Sequence, residues 1–182
     1  MLNSNFQYIA FLRGINVGGH MLIMMADLKK SFEKMGCKNV RTFFASGNVF
    51  FESEQMDASA LTNEIESGLK AAFNRDINVI LRSLDDLKKL KLSEPFKGIT
   101  VTVSTRFYVT FLSEKSRPGS IAIPYTSPQK EFSILHASPL EIFSVVDLSR
   151  GKGTTDMMNI LKKEYGADST TRNWNTILKV LM

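Results

Sequence analysis

Apolar positions in the first half of the chain switch between continuous runs, helical stripes and short β-type runs, and each switch marks an element. Residues 6–12 (FQYIAFL) become apolar without alternation from Tyr8 onward. This predicts a strand buried on both faces and central in its sheet. Met25, Leu28, Phe32 and Met35 fall at helical spacing, with Gly36 placed to end the helix in a left-handed conformation. Asn39 to Phe44 and Val49 to Glu52 form a hairpin around Ser46-Gly47-Asn48. Asp57 can cap a second helix striped by Leu61, Ile65, Leu69 and Phe73, and Ile77 to Leu81 supplies the next strand.

The resulting order, βαββαβ, predicts a ferredoxin-like N-terminal half. Both helices then lie on one face of a four-stranded sheet whose middle strands are the first and third. The other face needs a cover, which the second half can provide. A short helix at Leu84, Leu87 and Leu90, opened by a Ser83/Asp86 capping box, joins the halves. Strands follow at Arg106–Leu112, Phe132–His136 and Glu141–Asp147. Between the first two of these, residues 113–130 hold three prolines and read as the least ordered stretch. Thr155 is placed to cap a helix that Gly166 ends, and Trp174, Ile177, Leu178 and Leu181 make a final amphipathic helix. The fold class is therefore α+β, with a ferredoxin-like subdomain over 1–83 and a second α+β subdomain over 84–182 packed on it. Arg13-Gly14, a helix and Gly36 are echoed by Arg150-Gly151, a helix and Gly166. The echo raises a duplicated ferredoxin-like unit as one reading.

Composition narrows the class only a little. The 182 residues are 43% hydrophobic and 23% charged, enough for a core, and the net charge of +5 permits attraction to anions without making the chain polybasic. A lone cysteine, Cys37, excludes an intrachain disulfide and suits a reducing compartment. The first residues carry no basic leader, and no apolar run approaches membrane-spanning length. A cytoplasmic protein without a membrane segment is the expectation.

Candidate chemistry gathers in three polar stretches. The strand at 6–12 runs into Arg13, Asn16, Gly18, Gly19 and His20. Adjacent glycines can turn N–H groups toward an anion, with Arg13 as countercharge, though neither nucleotide-binding glycine pattern is complete. His20 is the local candidate for an acid or base. Ser46 and Asn48 supply turn geometry and a polar clamp. In the run at 170–176, Thr171, Arg172 and Asn173 suit a phosphate or carboxylate, while Trp174 anchors the last helix. These positions are the expected ligand-binding residues, gathered into one patch for a small anionic ligand. No metal site is expected, and cofactor and catalytic residues stay open. Two alternatives stand beside this reading: a nucleic-acid-binding module, and a non-catalytic scaffold or oligomer subunit.

LRGINVGG at 12–19, Met25-Ala26-Asp27-Leu28, NVRT at 39–42, SGNV at 46–49 and TTRNWNT at 170–176 occur in that order. Together they resemble the bacterial domain-of-unknown-function family 1697 over almost the whole chain. The resemblance implies a two-part α+β fold built on ferredoxin-like units and brings no mechanism. The chain departs from the pattern in following His20 with Met21-Leu22-Ile23-Met24, and in carrying Ala45 where an amide is usual.

Overall fold

The computed structural model describes residues 5–16 and 22–182 and divides into two compact units, residues 1–89 and 90–182. The first unit runs β1 (Phe6–Leu12), α1 (Met25–Lys34), β2 (Lys38–Phe43), β3 (Asn48–Ser53), α2 (Ala58–Phe73) and β4 (Val79–Ser83). β4 passes directly into α3 (Leu84–Leu92). The sheet order is β2-β3-β1-β4, every neighbouring pair is antiparallel, and β1 and β3 occupy the middle. That is the arrangement the βαββαβ pattern predicts.

Strand alternation divides the two faces. Tyr8, Ala10 and Leu12 of β1 join Val49 and Phe51 of β3 in one core with Leu28 and Phe32 of α1 and Leu61, Ile65 and Leu69 of α2. Fully burying each of the Val, Leu, Ile and Phe side chains contributes about 1.5–3 kcal/mol. On the opposite face Ile9, Phe11 and Phe50 are also buried, so β1 is covered on both sides as its uninterrupted apolar run requires. Helix ends follow local chemistry. The Asp57 carboxylate accepts from the Ser59 and Ala60 N–H groups at 2.9 and 3.2 Å, and the Ser83 hydroxyl exchanges bonds with Asp86 at the start of α3.

The second unit contains β5 (Thr105–Leu112), β6 (Tyr125–Thr126), β7 (Phe132–Ala137), β8 (Glu141–Asp147), α4 (Gly153–Tyr165), β9 (Ser169–Asn173) and α5 (Trp174–Val180). Its antiparallel sheet has the order β6-β7-β8-β5-β9. Leaving out the two-residue β6, the first, second, third and fourth strands take the same places as in the first unit, and the fourth again enters a short helix. The equivalence differs from the one expected from the glycine echo. α1 follows the first strand of its unit, whereas α4 follows the third strand and so corresponds to α2.

Residues 113–124 stand where the first unit has its first helix, and they are fastened to α4 and to the chain just beyond it. Ser116 Oγ donates to the Asp168 carbonyl at 2.9 Å, and Arg117 donates through Nε to the Glu164 carbonyl at 3.0 Å and through Nη2 to that of Lys163. The Glu164 carboxylate accepts from Ser120 N–H, Ser120 Oγ and Ile121 N–H. α4 itself starts earlier than the sequence indicates, at Gly153, and its preceding residue Lys152 makes no side-chain cap bond. Close packing calls for glycine at this start, because a Cβ at Gly153 would lie 2.7 Å from the Glu131 carbonyl oxygen. No helix among the described residues is long and apolar enough to cross a membrane.

Candidate functional site

In the first unit, β1 and β3 are antiparallel with Phe11 opposite Asn48. The segment leaving β1 and the turn entering β3 therefore lie at the same end of the sheet. Backbone bonds fasten them there: Leu12 N–H donates to the Gly47 carbonyl at 2.8 Å, and Arg13 N–H to the Asn78 carbonyl at 2.9 Å. Ile15 is buried against the turn. A Cβ on Gly47 would lie 2.5 Å from Ile15 Cδ1, and Gly47 has φ of 75°, so both space and conformation call for glycine.

Asn16 closes the loop. It adopts a left-handed φ of 55° and donates through Nδ2 to the carbonyls of Ile23 and Ala45 at 3.0 and 2.8 Å. Its Oδ1 accepts the Ile23 N–H at 2.7 Å. One side chain thus ties residue 16 to residue 23 and both to the hairpin turn. The half-buried Arg13 stands at the strand end beside this clamp, and Ser46 is exposed on the turn. Asn48 is completely buried and donates to the Phe43 carbonyl at 2.8 Å and to Ser46 Oγ at 3.1 Å, holding its own turn. Gly18, Gly19 and His20 lie outside the described residues.

The remaining expected positions belong to the second unit and are described there. The run at 169–173, expected to lead into the last helix, is edge strand β9. Its alternation points Thr170 and Arg172 inward. The Arg172 guanidinium donates through Nη1 to Thr170 Oγ1 at 2.7 Å and to the Thr171 carbonyl at 3.0 Å. Burial pushes its pKa down to about 10, which leaves it charged at neutral pH. Thr171 Oγ1 shares a 2.8 Å hydrogen bond with Thr110 Oγ1 across the β5–β9 pair. Asn173 Oδ1 accepts from Asn175 N–H at 2.9 Å and caps α5. Trp174 packs edge-on against Phe96, their ring centres 5.4 Å apart.

Asn16, Asn48 and Asn173 were expected to orient a ligand, and each makes hydrogen bonds that hold a loop, a turn or a helix start. At the opposite end of the first sheet from the loops, sequence reasoning missed an open concavity of about 560 Å³ containing Gln7, Arg41, Phe50 and Glu52. The available signal was a polar or charged residue at like-facing positions of adjacent strands, Gln7 opposite Glu52 and Arg41 opposite Phe50. Among the described residues, no three His, Cys, Asp or Glu side chains gather as metal ligands.

The architecture defines an α+β protein of two antiparallel sheets with a clamped polar loop at one end of the first. The profile of the family described as "Protein of unknown function (DUF1697)" matches residues 6–133, and the chain belongs to that family. It is also similar to the solved structure of the conserved bacterial protein SP0830 from Streptococcus pneumoniae, with a TM-score of 0.72, 22% identity and 97% of each chain covered. At that identity the likeness shows a shared fold. No curated protein matches the chain.

Proposed function

We propose that this chain binds a small anion at the loop end of its first sheet. The observation that carries the reading is the Asn16 clamp, which fixes the loop after β1 against the hairpin turn and sets Arg13 and Ser46 at one end of the sheet. Arg13 supplies charge, Ser46 a hydroxyl, and the backbone of Gly18-Gly19 the N–H donors. Asn16 acts by tying residue 16 to Ile23 and Ala45, and Asn48 by holding Phe43 and Ser46 of the turn. Thr171, Arg172 and Asn173 belong to the second unit and make a separate candidate for an anion, taken by itself, while His20 is the acid or base of the first site if the bound anion is turned over. A cytoplasmic setting suits this reading, because the lone Cys37 can form no intrachain disulfide.

Titration with inorganic phosphate, followed by backbone amide NMR, tests the proposal. Saturable shifts at residues 13–23 and 44–48 that vanish in Arg13→Ala support it; their persistence in that variant removes it. Arg172→Lys tests the separate candidate in the second unit by whether phosphate-induced shifts at residues 169–175 are lost. The nucleic-acid alternative is less favoured, because Phe50 and Phe51 are 3% and 0% exposed and offer no open ring for base stacking.

A further inference from the structure

We propose that the concavity beside β2 is a separate binding site for a free nucleoside whose base presents adjacent N–H donors, with guanine as the fitting example. Three features converge there. The first is a flat cationic platform: the Arg41 guanidinium lies over the Phe50 ring, 4.4 Å from its centre, and Arg41 is exposed. A guanidinium stacked on an aromatic ring on one side can stack a second π-system on the other.

The second feature is a fixed cluster of acceptors. The Glu52 carboxylate accepts from Gln7 Nε2 at 3.0 Å and from Asn39 Nδ2 at 2.7 Å. The Asn39 amide comes from a bulged segment of β2, where the backbone takes a φ of 52°. The hydrogen bonds from Gln7 and Asn39, followed by weaker help from Asn5 and Arg41, hold Glu52 below the usual carboxylate range and keep it ionised. A carboxylate has about four acceptor sites. Glu52 thus keeps capacity after these bonds, and Gln7 and Asn39, which line the same concavity, each carry an amide oxygen able to accept.

The third feature is charge balance. Arg41 and Lys29 offset Glu52 and Glu33 around the concavity, and Lys29 approaches Glu33 at 3.7 Å. A neutral planar ligand fits this balance better than a cation, which Arg41 repels, or an anion, which Glu52 repels. Guanine offers the acceptors two neighbouring N–H groups. Adenine places a ring acceptor beside its amino group and would set that lone pair against Glu52.

The volume of about 560 Å³ admits a single nucleoside. Guanosine carries no phosphate, so its binding is independent of the anion site proposed at the other end of the sheet. Guanosine and adenosine are titrated into the full chain and into Arg41→Lys, Glu52→Gln and Arg13→Ala. Arg41→Lys keeps the charge, removes the plane and lies on the surface, so it reports on binding even if Glu52→Gln disturbs the fold.

The expected result is saturable guanosine binding with adenosine about tenfold weaker or worse. Arg41→Lys should lose most of the guanosine affinity, while Arg13→Ala is unchanged. Equal affinity for the two nucleosides, no saturable guanosine binding at millimolar concentration, or an undiminished Arg41→Lys overturns the proposal.

Discussion

At the scale of single residues, the first loop depends on Asn16. Its amide makes hydrogen bonds at both atoms from a left-handed backbone, a conformation that asparagine tolerates better than most residues. Asn16→Ala loses three hydrogen bonds and strains the backbone, so it should cost about 2–4 kcal/mol in urea unfolding. Asn16→Gly removes the strain alone and should recover about 1 kcal/mol of that loss. Equal stabilities for the two variants would show that the conformation carries no cost. The sequence marks Asn16, Asn48 and Asn173 as unusual polar residues, but their work depends on φ and on which carbonyl the fold brings within reach. Asn16 bonds to Ala45, twenty-nine positions away, and no local pattern reveals such a partner.

At the scale of elements, periodicity makes most of the first unit legible. A strand without alternation, two helical stripes and a glycine-containing turn specify β1 to β4 because each buries a complete apolar face. β9 escapes this logic. Its inward positions are Thr170 and Arg172, and a polar residue turned inward reads as loop until its hydrogen-bond partners are known.

The 113–124 stretch escapes it as well, because the order comes from distant side-chain anchors rather than from its own pattern. The anchor at Glu164 predicts a pH effect. Hydrogen bonds from the Ser120 hydroxyl and N–H, with a further one from Ile121 N–H, hold its carboxyl below the usual range. The lowered folded-state pKa means that the contribution is present above the ordinary glutamate pKa and is lost as pH falls through the folded value. Hydrogen-exchange protection at Ser120 and Ile121 should drop across that acid window, and Glu164→Gln should weaken it above the window with little further effect below it. Protection that stays constant through the window would show that Glu164 is not the anchor.

At the scale of the whole molecule, the two units share one strand order, with a loop in the second where the first has a helix, and the glycine echo does not follow that correspondence. Strand order is not written in composition or spacing; it follows from which edges pair. The net charge of +5 sets a second expectation for anion binding. A small ligand held by one or two cations should lose affinity only gradually with added salt, whereas a nucleic-acid partner contacting several phosphates would show a steep logarithmic slope. A steep slope for single-stranded RNA, with no response to phosphate, would favour the nucleic-acid alternative. The most direct measurement remains the amide NMR titration of wild type and Arg13→Ala with inorganic phosphate. Saturable shifts confined to the clamped loop and hairpin turn, and absent from the variant, are predicted; scattered unsaturable shifts, or an identical response in both proteins, would contradict the account.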